Sequence, residues 1–96
     1  MNYIEAIYKL NDKLLKNEID ISTHWEEYYY LFSNLPEKTQ AKDFQILDEL
    51  FGWLEGYEPN QELRSKHSDY LSESQVREKV AEYQNKINQL IKKNEN

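Results

Sequence analysis

Residues 39–55 read TQAKDFQILDELFGWLE, and this stretch predicts the helical fold. The spacing of its apolar residues places one set of side chains on a single helix face: Phe44, Leu47, Leu50, Phe51 and Leu54. Ile46 and Trp53 widen this stripe. We therefore expect a helix from about Thr39 to Glu55, and the breadth of its apolar stripe favours a central position in the fold.

Two further periodic segments precede this stretch. The first helix is expected from about Asn2 to Asn17, because apolar residues recur along one face: Tyr3, Ile7, Leu10 and Leu14. For the second helix, Thr23 and Glu26 have the spacing of a capping box, in which each side chain bonds the backbone N–H of the other residue. Pro36 ends this helix, and Tyr30 is expected at the surface. The apolar face should hold Trp25, Tyr28, Tyr29 and Phe32.

After residue 55 the chain breaks, and one more helix follows. Gly56 is placed to adopt the left-handed conformation after the last helical turn, and Pro59 prevents the helix from resuming. Residues 58–71 are predicted to form a structured connection with one short turn of helix, held to the core by Leu63, Tyr70 and Leu71. A capping box of Ser72 and Gln75 opens the last helix. Its apolar residues have helical spacing: Val76, Val80, Tyr83, Ile87 and Leu90.

The length and composition favour one folded domain that binds another protein. A chain of 96 residues suits a single domain and is too short for a deep cleft between domains. We predict an all-α, single-domain antiparallel four-helix bundle over residues 1–96. The aromatic content of 14% is too high for a disordered acidic chain. Eighteen Asp and Glu against 12 Lys and Arg give a net charge of -6, which argues against nucleic acid as the direct partner and favours a basic protein.

The sequence lacks the patterns of secreted and membrane proteins. It has no Cys, so neither disulfides nor thiolate metal sites can form. It has neither a signal-peptide pattern at its start nor the run of about 18 apolar residues that a membrane span needs. We therefore expect a soluble cytoplasmic protein that is not exported.

Residues with catalytic or metal-ligating chemistry do not form a recognisable active site. His24 and Glu27 share one helix face, but two potential ligands without a matching cluster do not make a zinc or di-iron site. Glu26 and Glu27 are adjacent and point apart, which does not suit a catalytic acid and base. No Gly-rich phosphate loop or nucleophile motif is present. We predict no enzymatic activity, no catalytic residue, no metal site and no cofactor.

Acidic residues are concentrated around the end of the third predicted helix. A window of twenty residues contains no Lys or Arg and holds six acids: Asp43, Asp48, Glu49, Glu55, Glu58 and Glu62. Asp48, Gly52 and Glu55 fall on one line along the exposed side of the helix. Acids near a helix C-terminus oppose its dipole, and a glycine within a helix costs about 1 kcal/mol relative to alanine. These features fit a surface that a partner contacts; the alternative is a solvated face that aids solubility.

The run from Leu47 to Asn60, LDELFGWLEGYEPN, with Glu62–Arg64 and Val76–Arg77 after it, resembles the colicin D type immunity proteins. These include immunity proteins of contact-dependent growth inhibition systems. The most specific element is Glu-Leu-Phe followed by Glu, any residue, an aromatic residue, Glu and Pro. The resemblance implies a four-helix protein that binds the C-terminal tRNA-cleaving domain of its toxin and presents carboxylates where the nuclease expects phosphates.

The resemblance also implies which residues make this contact. The matching acids are Glu55 and Glu58, and Tyr57 and Pro59 shape the turn that holds them. One position departs from the family pattern. Asn60 stands where the family can place a third acid, and its side chain can accept a hydrogen bond but carries no charge.

The acids and the resemblance together predict a partner and a surface. The partner is the C-terminal domain of a cognate nuclease toxin in a 1:1 complex, with no direct contact to nucleic acid or membrane. The predicted partner-binding residues are Asp48, Glu49, Gly52, Glu55, Tyr57, Glu58, Pro59, Asn60 and Glu62. Two alternatives remain open: an acidic helical adaptor or regulatory protein that binds an unrelated basic protein, and a self-associating bundle that uses an exposed apolar stripe.

Overall fold

Most of the chain is helical. A computed structural model describes residues 2–94, which contain five helices and no strand. In chain order the helices are α1 (Tyr3–Leu15), α2 (Ile21–Ser33), α3 (Ala41–Glu55), α4 (Gln61–Lys66) and α5 (Glu73–Asn94). The all-α class is confirmed, and α4 occupies the connection in which one short turn of helix was expected. Among the described residues, none of the helices has the length and apolar character that crossing a membrane requires.

The four long helices enclose one apolar core. α1 packs against α2 and α5, and α3 packs against the same two helices. Fully buried apolar side chains come from all four: Ile7, Leu14, Tyr28, Leu47, Leu50, Val76, Val80 and Ile87. Each long helix therefore has two neighbours, and the expectation of α3 as the central helix is wrong. Its apolar stripe is broad because it reaches solvent at both edges, where Phe44 is 45% and Trp53 is 39% exposed.

A chain of buried polar groups joins α1, α2 and α5. His24 Nε2 lies 2.7 Å from Asn11 Oδ1, and Asn11 Nδ2 donates to Gln84 Oε1 at 3.0 Å. Gln84 Nε2 in turn donates to the Tyr8 carbonyl at 3.0 Å. Since Asn11 Oδ1 can only accept, His24 carries its proton on Nε2, and its buried Nδ1 has no partner. Burial, and then the charge of Arg77, lower the pKa of His24 from 6.5 to about 4, so the ring is neutral near pH 7.

The left-handed residue expected at Gly56 occurs instead at the end of α1. Asn17 has a φ of 62°. The N–H groups of Asn17 and the next residue bond the carbonyls of Leu14 and Lys13 at 3.0 and 2.9 Å, which is a Schellman motif. Gly56 has right-handed values, φ -77° and ψ -6°. Gly56 instead allows the backbone of Asp69 to approach closely, because a Cβ at position 56 would lie 3.1 Å from the Asp69 carbonyl oxygen.

α2 begins earlier than the predicted capping box. Asp20 is the N-cap, and its Oδ1 accepts a 2.8 Å hydrogen bond from the Thr23 N–H. This bond lowers the pKa of Asp20. Thr23 is thus the third residue of the helix, and the predicted box of Thr23 with Glu26 is wrong. An ionised Asp is a strong acceptor that also meets the positive end of the helix dipole, so the helix starts at Ile21.

Replacing Asp20 by alanine is expected to lower the free energy of unfolding by about 1 kcal/mol, because the cap bond is lost. Thr23→Ala is the matched control, since it keeps the bond from the residue 23 N–H to Asp20 and removes only the hydroxyl beside that carboxylate, and it should change stability by less than about 0.5 kcal/mol. Urea unfolding followed by far-ultraviolet circular dichroism measures both variants. A greater loss for Thr23→Ala than for Asp20→Ala would contradict the assigned cap.

The apolar face of α2 is only partly buried. Tyr28 is fully buried, and its hydroxyl donates to a backbone carbonyl of α3 at 2.8 Å. Trp25 and Phe32 are half-buried. Tyr29 was expected on this face but is 49% exposed, because it stacks on the outer side of Trp25. Tyr30 is 64% exposed, as predicted.

The start and the core face of α5 agree with the prediction. Gln75 Oε1 accepts a 2.8 Å bond from the Ser72 N–H, and Ser72 Oγ accepts a 3.3 Å bond from the Gln75 N–H. All five residues of the predicted stripe are buried: Val76, Val80, Tyr83, Ile87 and Leu90. In the preceding connection only Leu71 is buried. Leu63 and Tyr70 are 41% and 38% exposed, so they do not hold the connection to the core as expected; Leu63 lies on α4, which buries no residue.

Candidate partner-binding surface

The turn that follows α3 is fixed by the backbone. We call residues 55–62 the acidic turn. The Leu71 N–H donates to the Gly56 carbonyl at 2.7 Å, and the Glu58 N–H donates to the Leu71 carbonyl at 2.9 Å. These bonds flank a parallel bridge between Tyr57 and Leu71. The acidic turn is thereby attached to the chain just before α5, and its backbone is positioned before any partner arrives.

Side chains within the acidic turn add to this order. Asn60 is the N-cap of α4, and its Oδ1 accepts from the N–H groups of Glu62 and Leu63 at 2.9 and 3.2 Å. Glu58 Oε2 accepts from the Asn60 N–H at 3.1 Å. Arg64 Nη1 donates to the Glu58 carbonyl at 2.6 Å. Asn60 therefore has a structural role that either Asn or Asp can fill, since both are good caps.

Six of the nine predicted partner-binding residues lie on the acidic turn: Glu55, Tyr57, Glu58, Pro59, Asn60 and Glu62. Glu55, Pro59, Asn60 and Glu62 are exposed, and Tyr57 and Glu58 are half-buried. Tyr57 packs against the apolar core with part of its ring. The structure thus brings the two carboxylates implied by the resemblance, those of Glu55 and Glu58, onto one short and well-anchored segment.

Of the remaining acids of the window, Asp48 lies on the same exposed line of α3 as Glu55, but Asp43 and Glu49 do not form one patch with the acidic turn. Asp48 is exposed on α3, but Glu49 turns toward α5, where its Oε1 accepts from the Tyr83 hydroxyl at 3.1 Å. Burial and this carboxylate raise the pKa of Tyr83. Asp43 is only 4% exposed and lies in the first turn of α3, at the opposite end from Glu55. The six acids therefore do not share one surface, because helical rotation separates Glu49 from Asp48 and burial removes Asp43.

Gly52 is exposed on the outer side of α3. A Cβ built at this position would meet no neighbouring atom within 4 Å. No neighbouring helix thus explains the glycine, and close approach of a partner to the backbone stays a prediction.

Replacing Gly52 by alanine is expected to raise the free energy of unfolding by about 1 kcal/mol, because alanine loses less backbone entropy in a helix and meets no obstacle here. Chemical denaturation measures this change, and a loss of stability would contradict it. The same variant tests the site. If a partner approaches the Gly52 backbone, its affinity for the variant falls although the free protein is more stable.

A pocket between α2 and α3 opens beside the acidic turn. Trp25 and Glu26 of α2 line it together with Leu54, Glu55 and Tyr57. Sequence reasoning missed Glu26 as a candidate, because nothing in the α2 pattern shows that the N-terminal half of this helix lies next to the end of α3. Glu26 and Glu55 line the same pocket because α2 packs against α3.

Charge is divided unequally between the helices. α2 has no Lys or Arg, and α3 has only Lys42, in its first turn. α5 carries five basic and three acidic residues, and α1 has two of each. The side of the molecule formed by α2, α3 and the acidic turn is therefore the acidic side.

A comparison with protein families found a match for this chain. The model of a family described as bacterial self-protective colicin-like immunity matches residues 2–90, a range that includes α1 to α4, the acidic turn and most of α5. No curated protein and no solved structure matches the chain. Within residues 2–94, no group of three or more His, Cys, Asp or Glu side chains is arranged to hold a metal ion.

Proposed function

Because this chain belongs to the family of bacterial self-protective colicin-like immunity proteins, we propose that it neutralises a tRNA-cleaving toxin by covering the basic active site of the toxin's C-terminal domain. The complex is 1:1 and forms in the cytoplasm. The whole chain acts as one immunity domain of the colicin D type, a four-helix antiparallel bundle with the short α4 added. It is a binding protein without enzymatic activity or cofactor.

The acidic turn carries this proposal. A nuclease that cleaves tRNA must place Lys and Arg side chains around the phosphates of its substrate. The carboxylates of Glu55, which is exposed, and of Glu58, which is half-buried, can take the place of these phosphates. Hydrogen bonds from Leu71 and Arg64 hold the backbone between Glu55 and Glu58 in place. Less conformational entropy is then lost on binding, which strengthens the complex.

An aromatic anchor lies within the acidic turn. Tight interfaces draw most of their binding energy from a few aromatic or Arg side chains near the centre. Tyr57 lies between Glu55 and Glu58 in the sequence and is half-buried, so part of this residue remains accessible to a partner. Trp53 is less suited, because Lys79 Nζ lies 4.1 Å from the centre of its ring and its Nε1 points to the Tyr83 hydroxyl at 3.4 Å.

Protection of cells tests the proposal. The C-terminal domain of the toxin encoded beside this gene is expressed with and without this protein, and growth and intact tRNA are followed together. Restored growth with uncut tRNA is expected. Continued killing in the presence of the folded protein would overturn the immunity function and favour an acidic adaptor for some other basic protein. Protection from a toxin that leaves tRNA uncut would overturn only the substrate.

A further inference from the structure

We propose that the groove between α2 and α3 receives an arginine-bearing segment of the toxin, whose guanidinium lies between the carboxylates of Glu26 and Glu55. The aromatic wall of this groove is formed by Trp25, Tyr29 and Phe51. The inference rests on the proposed function, because it names a second contact with the same toxin. It extends the partner surface from the acidic turn onto α2.

Aromatic rings form a continuous seam along the two helices. Trp25 stacks on Tyr29 with ring centres 5.4 Å apart, and Phe51 of α3 lies 6.2 Å from Trp25 and 6.0 Å from Tyr29. Phe32 continues the seam, 5.1 Å from Phe51 and 5.4 Å from Phe44. Tyr29 is 49% and Phe44 45% exposed. We call these five residues the aromatic seam; it presents apolar surface that the fold leaves uncovered.

The seam leads into the pocket beside the acidic turn. Trp25 belongs to both, and Glu26 and Glu55 line the pocket from opposite helices. The pocket volume is about 420 Å³, which falls within the range of pockets that hold small ligands and is enough for one long side chain. Neither carboxylate forms a hydrogen bond or an ion pair with another residue in the described part of the chain, so both are available to a cation.

Charge complementarity identifies the occupant. Residues 17–37 and 43–63 contain no Lys or Arg. Lys9 and Lys13 of α1 line a second pocket that Glu26 also borders, but neither lysine forms an ion pair with Glu26. Arginine fits better than lysine, because a planar guanidinium stacks on aromatic faces and binds carboxylates in bidentate fashion. A second copy of this chain fits poorly, because each copy carries a charge of -6 and would bring acids against acids.

The chain offers two matched pairs of variants for a test. Tyr29 belongs to the proposed groove, and Glu26 lies between that groove and a second pocket, which is formed by α2 and α1. Their neighbours Glu27 and Tyr30 line the second pocket and not the pocket beside the acidic turn. All four side chains are exposed, so substitution leaves the fold intact. Circular dichroism checks this for each variant. The Kd for the toxin domain of the protection assay is measured by isothermal titration calorimetry.

Glu26→Gln and Tyr29→Ala are each expected to raise Kd at least tenfold, while Glu27→Gln and Tyr30→Ala change it less than threefold. Each toxin arginine is then replaced by glutamine. One of these toxin variants should bind the wild-type immunity protein at least tenfold more weakly than the unchanged toxin does. The same toxin variant should bind the Glu26→Gln protein less than threefold more weakly than the unchanged toxin does. Equal effects within each pair, or no arginine coupled to Glu26, would overturn the inference.

The same data separate this inference from the proposed function. If Glu55 and Glu58 variants lose binding but Glu26→Gln and Tyr29→Ala do not, only the groove is wrong. If the wild-type protein does not bind the toxin domain, the immunity function fails and the groove with it. Sedimentation of the free protein should show a monomer, and a dimer that Tyr29→Ala dissociates would assign the seam to self-association instead.

Discussion

Replacing Glu55 and Glu58 together by lysine is expected to weaken binding of the toxin domain by at least about 3 kcal/mol, or more than roughly a hundredfold in Kd. Each substitution removes a carboxylate from a basic surface and adds a repelling charge. The fold should tolerate the change, because both side chains project from a turn whose backbone is bonded to Leu71. Lysine at position 55 should even favour α3 slightly, since a cation suits a helix C-terminus.

The matched control is the double variant Glu37→Lys with Glu78→Lys. It makes the same change in net charge at two exposed positions, one in the loop after α2 and one on α5. Its Kd should rise less than about tenfold, because distant charges act only through the screened field. Calorimetry and the protection assay measure both doubles. Equal losses for both would show that overall charge, and not the acidic turn, controls binding.

Lowering the pH from 7 to about 4 is expected to reduce the free energy of unfolding by about 3 kcal/mol through His24 alone. Burial lowers its pKa in the folded protein from 6.5 to about 4. Between these values the unfolded chain binds a proton that the folded protein does not. The stabilisation is therefore complete above pH 6.5 and is lost progressively as the pH falls toward 4.

His24→Gln isolates this contribution. The glutamine amide can still donate to Asn11 Oδ1, so the chain of polar groups to Gln84 is kept, but the side chain does not titrate. Urea unfolding at pH 7.0, 6.0, 5.0 and 4.5 should show a steep loss of stability in the wild type and a shallow one in the variant. Parallel curves would mean that His24 is protonated without penalty in the folded protein.

Most of the fold could be predicted from the sequence, because periodicity and caps are local signals. The stripe from Val76 to Leu90 and the capping box at Ser72 were right, since both depend only on residues within one helix turn of each other. The family resemblance carried by residues 47–60 is likewise confirmed, at the level of colicin-like immunity, by the match over residues 2–90.

The errors arose where two local signals competed or where distant segments meet. At the start of α2, the prediction assigned the cap to Thr23, but Asp20 also has a capping side chain three residues earlier, and Asp20 forms the cap in the structure. Gly56 was assigned a left-handed turn, whereas its role is to admit the Asp69 carbonyl from a segment thirteen residues away. No pattern within a helix could reveal that approach.

The candidate surface was predicted in part for the same reason. The family resemblance implied that one turn holds Glu55 and Glu58, and these residues are close enough in sequence to share it. The sequence could not show that Asp43 is buried or that Glu49 bonds Tyr83, since both depend on how α3 is rotated against its neighbours. Nor could it bring Glu26 beside Glu55, because these residues lie on different helices and far apart in the sequence.

The unequal division of charge between the helices bears on how a toxin is met in solution. With acids on the side of α2 and α3 and most bases on α1 and α5, the field of a basic toxin exerts a torque on the molecule as well as an attraction. The torque turns the acidic side forward before the surfaces touch, so a larger share of collisions begins in a usable orientation. At physiological salt the Debye length is about 8 Å, which confines this alignment to the last moments of the approach.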